Sequence, residues 1–256
     1  MRKIHQIWLG PNKPSYFQTV VASRKNWDKF TFHDWTDEHA DNLKFQKYYS
    51  GNLASTALWQ NAPNLAFRAD IFRYLILEKL GGLYIDFDYE FLRDPGLLFE
   101  NSNLILAAEG RWFTNSFLGG EKNHELFQLL NSQIWNQETY NKMKSGKSIL
   151  ELTGPYLLNK IICDNRFHLH LGSTLIPSHV LILDSSFIRN KRKAKKNHLL
   201  FNEDGTPLGS IAQHLYAGSW TSLVSKIYNK WFRKTVSKIK PLSRMRRLIR
   251  IVYHES

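Results

Sequence analysis

Cysteine is almost absent from this chain, and long hydrophobic runs are missing. Cys163 is the single cysteine among 256 residues, so the fold cannot depend on an internal disulfide or on an oxidising compartment. No run of about 18 apolar residues is found, and the first residues lack the apolar stretch of a signal peptide. We therefore expect a cytoplasmic protein, either soluble or peripheral on the inner face of the plasma membrane.

Acidic residues are also scarce, but only in part of the chain. The net charge is +13, yet positions 1–188 hold 19 basic and 19 acidic residues. The excess comes from six basic residues in 189–196 and ten in 226–250. Positions 1–188 are therefore neutral overall, and we predict a catalytic body over 1–222 followed by a separate basic tail over 223–256.

The hydrophobic pattern of the body alternates between the periods of strands and helices. This alternation predicts an α/β fold around a central sheet. Predicted strands lie at 3–9, 30–35, 83–85, 104–108, 116–119, 180–183 and 211–216. Predicted helices lie at 15–27, 65–80, 125–135 and 155–163. The 65–80 helix has the clearest boundaries, with Asn64 before it and Gly81-Gly82 after it.

Two carboxylates follow the short apolar strand at 83–85. In an extended segment Asp86 and Asp88 share one face, while Phe87 points the other way into the protein. Such a pair suits Mg²⁺ or Mn²⁺, which would bridge two phosphate oxygens of a departing diphosphate. An Asp-X-Asp triplet alone is weak evidence, because such triplets also arise by chance.

The preceding helix carries Asp70 and Arg73, which lie three residues apart and so share a face. They could form an exposed ion pair that contributes about 0.2 to 0.5 kcal/mol and binds nothing. The helix is otherwise apolar and leads directly to the acidic strand end, which favours a buried pair facing a site.

The segment from Arg68 to Asp88, RADIFRYLILEKLGGLYIDFD, resembles the signature of glycosyltransferase family 32. The similarity extends to Ile4–Gly10, to Thr153-Gly154-Pro155 and to His214–Trp220, and covers about positions 3–221. It implies the nucleotide-sugar transferase type A (GT-A) fold, a single α/β domain with a mixed central sheet. It also implies transfer of a sugar with retention of the donor's anomeric configuration.

The resemblance further implies a role for individual residues. The donor would be a UDP- or GDP-hexose, and the acceptor a hydroxyl of a glycan or a lipid-linked molecule in bacterial surface polysaccharide synthesis. Asp88 would bind the metal directly, with Asp86 beside it and His214 as a further ligand. The implied donor contacts are Trp8 at the base, Asp70 and Arg73 at the sugar and phosphate, Tyr84 and Asp86 along the ribose and sugar, Asn115 at the sugar, and Ser219 and Trp220 on a loop over the diphosphate.

Each of these residues also has a simpler structural interpretation. Trp8 is one of eight tryptophans and could be a core residue, and His214 could be a structural histidine. Ser219 and Trp220 could simply follow a strand. Ala69 occupies a position where the family frequently has serine, so one hydroxyl that could touch the donor is missing.

The basic tail alternates lysine and arginine with apolar residues, and Pro241 divides it. Tyr228, Trp231 and Phe232 fall on one side of a helix, as expected of a helix lying on an anionic membrane. A solvated helix packed on the body is the next alternative, and a nucleic-acid patch is the least favoured.

Two other functions remain open for the whole chain. A phosphatase of the haloacid dehalogenase type also has Asp-X-Asp after an apolar strand, with the first aspartate as nucleophile. Tyr89 and the late position of the motif argue against it. A non-enzymatic, basic membrane-surface module would explain the tail but not the first 188 residues.

Overall fold

The computed structural model describes the backbone of residues 2–11, 16–24, 27–41, 53–91, 94–99, 103–109, 112–164, 180–183, 188–190, 200–201, 207–208 and 212–214. The basic tail therefore lies outside the described residues. No helix in the described ranges is both long and apolar enough to cross a membrane.

A six-stranded mixed sheet forms the centre of the molecule, in the order β2-β1-β3-β6-β5-β7. Its strands are β1 (Lys3–Ile7), β2 (Thr31–Trp35), β3 (Gly82–Ile85), β5 (Leu104–Glu109), β6 (Trp112–Gly120) and β7 (Val180–Leu183). Strand β6 runs antiparallel to both of its neighbours, and the other pairings are parallel. The carboxyl ends of β1, β2 and β3 therefore lie together at one edge.

The remaining strands form two smaller sheets. Strand β11 (Ala212–His214) pairs with both β4 (Tyr89–Phe91) and β8 (Ile188–Asn190). Strands β9 (Leu200–Phe201) and β10 (Pro207–Leu208) pair with each other. The first of these sheets brings the late part of the chain beside the segment that follows Asp88.

Eight α-helices and one 3₁₀ helix, at Pro95–Phe99, accompany the strands in the described part of the chain. The α-helices are α1 (Tyr16–Ser23), α2 (Asp37–Asp41), α3 (Leu53–Gln60), α4 (Leu65–Leu80), α5 (Glu125–Ile134), α6 (Gln137–Lys144), α7 (Ile149–Leu152) and α8 (Pro155–Cys163). The mixed α/β architecture predicted from the sequence is confirmed.

Helix α4 begins and ends where the sequence predicted. The Asn64 side chain accepts a hydrogen bond from the backbone N–H of Phe67 at 3.0 Å, which caps the first turn. Gly81 ends the helix with φ of 62°, a conformation that glycine adopts without a Cβ clash. The chain then passes directly into β3, so helix and strand positions are rigidly related.

Hydrophobic side chains pack on both faces of the central sheet. The larger cluster lies on the α4 side and includes Ile71, Leu75 and Tyr84. The smaller one, on the opposite side, includes Ile4, Leu83 and Ile85. Alternation along β3 thus assigns Tyr84 to the α4 side and its two neighbours to the other. Side chains at the end of β3 on the α4 side consequently face the helix that carries Asp70 and Arg73.

Candidate functional site

The acidic triplet lies on a turn between β3 and β4. The backbone N–H of Tyr89 donates to the carbonyl of Asp86 at 3.1 Å, so Phe87 and Asp88 occupy the centre of a tight turn. The prediction of an extended Asp86-Phe87-Asp88 segment was wrong, because this hydrogen bond bends the chain. Phe87 is buried as expected, whereas Asp86 and Asp88 are both partly exposed.

Arg73 connects the two acidic parts of the site. Its guanidinium lies 3.0 Å (Nη2) from Asp70 Oδ1 and 3.1 Å (Nη1) from Asp86 Oδ1. The Nη1 group also donates to the backbone carbonyl of Asn115 at 2.6 Å. Only 3% of Arg73 is exposed. The alternative of a solvated surface ion pair is therefore excluded, and the pair is a buried part of the site.

The carboxylate of Asp70 is bound on both oxygens. Oδ1 accepts from the side-chain amide of Asn115 at 2.9 Å and lies against Arg73. Oδ2 accepts from the hydroxyl of Thr153 at 3.2 Å. Asp70 is 7% exposed and Thr153 is fully buried. These partners, 45 and 83 residues away along the chain, hold the carboxylate in one orientation.

A bulge in β6 brings Asn115 to this position. Leu106 of β5 pairs with Leu118 of β6, but the next residue, Ala107, pairs with Thr114. Three residues of β6, at 115–117, therefore have no partner on β5 and are displaced from regular pairing. The carbonyl of Ser116 accepts from the backbone N–H of Asp86 at 2.8 Å. The bulge thus attaches directly to the acidic turn.

Tyr84 orients the first aspartate of the triplet. Its hydroxyl donates to Asp86 Oδ1 at 2.6 Å, and the guanidinium of Arg73 lies over its ring, 4.5 Å from the centroid. Because Arg73 binds the same carboxylate oxygen, one side of Asp86 is held by two donors. Tyr84 is 1% exposed, so this hydroxyl acts from within the protein.

The electrostatics of the site follow from its burial. Burial raises the pKa of Asp70 to about 6, even though Arg73 opposes the shift. Burial disfavours the charge of Arg73, but Tyr84, Asp86 and Asp70 outweigh that effect and raise its pKa. Burial also raises the pKa of Tyr84, so that its hydroxyl keeps its proton. The result is a permanent, buried cation between two carboxylates.

Gln6 and Arg24 support the turn from the opposite face of the sheet, and the sequence did not single them out. The Gln6 amide donates to the backbone carbonyl of Asp86 at 3.3 Å, and its oxygen accepts from Arg24. Arg24 also lies over the ring of Phe87, 5.2 Å from the centroid. Gln6 lies beside the turn because β1 pairs with β3, and this pairing leaves no local signal in either segment.

Trp8 follows β1, and its backbone N–H donates to the carbonyl of Trp35 at 2.8 Å. Its half-buried ring meets the edges of Phe17 and Phe87, with both centroid distances at 6.0 Å. Its indole N–H is buried with no hydrogen-bond partner among the described residues. The indole is thus neither a fully buried core residue nor a free surface ring. Its stacking on a nucleotide base stays a prediction.

The predicted residues from the end of the chain are only partly described. Cα pairing in the β4–β11 ladder places residue 214 opposite Tyr89, immediately after Asp88 in the sequence. His214 therefore belongs to a strand adjacent to the acidic turn, although its side chain lies outside the description. Ser219 and Trp220 lie outside the described residues altogether. Within the described part, no group of three metal-ligating side chains is present.

Thr153 is a further site residue whose role the sequence missed. The Thr153-Gly154-Pro155 segment was noted only as part of the family resemblance. In the structure it is the corner between α7 and α8. A Cβ on Gly154 would lie 2.9 Å from the Cα of Leu150, so only glycine permits this close approach. The corner presents the Thr153 hydroxyl to Asp70.

Comparison with known proteins bears on the region of the chain that contains this site. Residues 13–111 match the family model described as "Glycosyltransferase sugar-binding region containing DXD motif". This range contains the Asp70–Arg73 pair and the acidic triplet. The chain therefore contains a DXD-type glycosyltransferase sugar-binding region and is similar to family 32 glycosyltransferases. This match favours a glycosyltransferase over both rival interpretations, the dehalogenase-type phosphatase and the non-enzymatic module.

A curated protein similar to this chain is the initiation-specific alpha-1,6-mannosyltransferase of Candida albicans. The two are 27% identical over 115 residues, which are 43% of this chain and 30% of the relative. The match thus spans less than a third of the relative's length.

The chain also resembles a solved structure described as PaToxG glycosyltransferase. The match covers 66% of this chain and 70% of that one, at a TM-score of 0.51 and 19% sequence identity. The likeness concerns the fold, which is the GT-A fold that the sequence resemblance implied.

Proposed function

We propose that this glycosyltransferase transfers a hexose from a UDP- or GDP-sugar to a hydroxyl of a glycan or lipid-linked acceptor, with retention and with a divalent metal ion. The buried Arg73, which joins Asp70 to Asp86 beside a partly exposed acidic turn, is the observation that supports this most directly. A fixed cation next to exposed carboxylates suits a ligand that carries both a diphosphate and a metal ion.

The residues at the turn fit Mg²⁺ or Mn²⁺. Both cations prefer oxygen ligands, and both aspartates are partly exposed at the turn. Because Arg73 and Tyr84 bind one oxygen of Asp86, we assign the direct metal contact to Asp88 and a supporting one to Asp86. His214 is a further candidate ligand, because its strand pairs beside the turn. When bound, the metal would neutralise charge on the departing diphosphate.

The protein's own groups would then share the remaining work. Arg73 stays protonated at every physiological pH and would stabilise the charge that develops on the leaving group. Asp70 would accept a hydrogen bond from a donor-sugar hydroxyl. Trp8 would stack on the base at the carboxyl end of β1, where open α/β sheets bind ligands. Ser219 and Trp220 would close over the diphosphate.

Retention of configuration fits the absence of an obvious protein nucleophile in the described site. Asp86 is held by two donors and Asp70 by three partners, so neither carboxylate is placed as an unrestrained attacking group. We therefore propose that the acceptor hydroxyl attacks the anomeric carbon on the face from which the diphosphate departs. The leaving diphosphate keeps the bonding electron pair, and one of its oxygens takes the proton that the acceptor hydroxyl loses.

A donor panel tests this function. UDP-glucose, UDP-galactose, UDP-N-acetylglucosamine and GDP-mannose are each added with Mn²⁺ or Mg²⁺, and the melting temperature and slow hydrolysis are measured. One nucleotide sugar should raise the melting temperature and be hydrolysed only with metal. If no donor raises the melting temperature or is hydrolysed with either Mn²⁺ or Mg²⁺, the proposal is wrong.

Asp88→Ala should abolish this metal-dependent hydrolysis. Asp28→Ala is the matched control, because Asp28 is exposed and precedes β2 at the opposite edge of the sheet. The control should keep wild-type turnover. Unchanged turnover in Asp88→Ala would refute the metal assignment.

We further propose that the basic tail holds the enzyme on the anionic inner face of the cytoplasmic membrane, near a lipid-linked acceptor of surface polysaccharide synthesis. The support is sequence alone, namely aromatic and basic residues at helical spacing. Flotation with vesicles of phosphatidylglycerol and phosphatidylcholine should capture the full chain. Replacing three basic residues of the tail with glutamine, at Lys230, Arg233 and Lys234, should reduce this capture. Equal flotation of both proteins, or of neutral and anionic vesicles, contradicts the anchor.

A further inference from the structure

Thr153 makes a contact with the site that the proposed mechanism does not yet use. Its hydroxyl has two acceptors in reach, the Asp70 carboxylate at 3.2 Å and the backbone carbonyl of Ile149 at 3.3 Å. A hydroxyl has one proton to donate. The carboxylate is the stronger acceptor because it carries charge, so the hydroxyl donates its hydrogen bond to Asp70.

The contacts of Asp70 make this hydroxyl decisive for the orientation of the carboxylate. Oδ1 is occupied by Asn115 and Arg73. Among the described residues, Thr153 is the one donor to Oδ2. An ionised carboxylate has about four acceptor positions, so one position on Oδ2 is still available to a ligand. The direction of that position depends on where Thr153 holds the oxygen.

The corner that carries Thr153 is itself rigid. Helix α7 ends immediately before Thr153, whose backbone N–H donates to the Ile149 carbonyl at 2.9 Å. Gly154 packs against Leu150 too closely for a side chain, and Pro155 begins α8. Thr153 has no exposed surface. A side chain fixed in this way can orient Asp70 without touching the substrate.

We propose that Thr153 is a positioning residue for donor-sugar recognition, which directs the remaining acceptor position of Asp70 Oδ2 toward a hydroxyl of the donor hexose. This inference rests on the proposed function. It assigns to the α7–α8 corner a part in sugar selection, since discrimination among hexoses depends on the direction of individual hydrogen bonds.

Two substitutions at Thr153 and one at a matched threonine provide the test. Thr153→Val keeps the shape and removes the hydroxyl, and Thr153→Ser keeps the hydroxyl. Thr139→Val is the control. Thr139 lies in α6, is also buried, and its hydroxyl donates one hydrogen bond, to the backbone carbonyl of Gln133 at 2.7 Å. For each protein, kcat/KM is measured for hydrolysis of the nucleotide sugar that the wild type hydrolyses in Mn²⁺, together with Tm.

We expect Thr153→Val to lower kcat/KM about tenfold, which corresponds to about 1.4 kcal/mol of transition-state stabilisation. Thr153→Ser should stay within about twofold of wild type, and Thr139→Val should lower Tm without lowering kcat/KM. If Thr153→Val does not fold, Thr153→Ala compared with Thr153→Ser gives the same contrast, because both lack the methyl group.

The inference is overturned if Thr153→Val retains the kcat/KM of Thr139→Val, or if serine fails to restore it. The proposed function fails separately, when the wild type neither binds nor hydrolyses any donor of the panel. The two failures are therefore distinguishable from the wild-type measurement alone.

Discussion

Replacing His5 with glutamine should remove part of the pH dependence of folding. His5 is fully buried in β1. The indole N–H of Trp35 donates to its Nδ1 at 3.2 Å, so its proton lies on Nε2, which donates to the carbonyl of Gly81 at 2.8 Å. A second proton would have no acceptor, because Nδ1 faces a donor. Glutamine keeps an amide donor for Gly81 and does not titrate.

The size of the effect follows from the pKa of His5. Burial lowers it from 6.5 to about 4, and the positive neighbours His33 and Lys3 add to the shift. Between pH 6.5 and 4 His5 is therefore protonated in the unfolded chain but not in the folded protein. The free energy of unfolding decreases as pH falls through this range. The loss is about 2 kcal/mol between pH 7 and pH 5, and about 3 kcal/mol at its limit.

The assay is urea unfolding of the full chain and of His5→Gln at pH 7, 6 and 5. Asp70 acts in the opposite sense, because its raised pKa makes the folded state bind a proton more readily between pH 6 and 4. The wild-type curve alone therefore mixes both effects. The difference between wild type and variant isolates His5, since Asp70 is present in both.

We expect the stability advantage of the wild type over His5→Gln to shrink by about 2 kcal/mol from pH 7 to pH 5. An advantage that stays constant over this range refutes the reasoning. So does an NMR titration that finds the imidazole of His5 protonating at its ordinary pKa.

Three further substitutions test the site and the turn that precedes it. Arg73→Lys should lower kcat/KM for the donor by about 100-fold, because one ammonium cannot span Asp70, Asp86 and the Asn115 carbonyl; activity close to wild type would contradict the bridging role. Tyr84→Phe should lower kcat/KM about tenfold and weaken Mn²⁺ binding, because Asp86 loses one of its two donors, the hydroxyl at 2.6 Å. Metal titration of activity measures this, and an unchanged metal dependence would contradict the role of Tyr84. Gly81→Ala should destabilise folding by about 2 kcal/mol or more in urea unfolding, since a Cβ would lie 2.6 Å from the backbone nitrogen of Lys122 at a φ of 62°. In Gly146→Ala, which has a φ of 80° but no atom within 4 Å, only the backbone strain remains, so a loss as large as in Gly81→Ala would contradict the close-approach argument.

The sequence predicted the elements that local patterns govern. Helix 65–80 and helix 155–163 were predicted with their observed bounds, because an asparagine or a proline starts each and glycine or a polar break ends it. Strand 180–183 was predicted equally well. Others were displaced, such as β6, which starts at Trp112 rather than 116. Helices α2, α3, α6 and α7 were missed, since they are short or mainly polar.

Sequence by itself singled out Asp70, Arg73, Asp86 and Asp88, since their spacing within one helix–strand–turn unit is local information. Tertiary structure alone decided how they are arranged. The turn at Asp86, the bulge that delivers Asn115 and the approach of Thr153 to Asp70 depend on contacts between segments as many as 83 residues apart. Such contacts arise from packing of the whole chain, and nothing in the neighbouring residues encodes them.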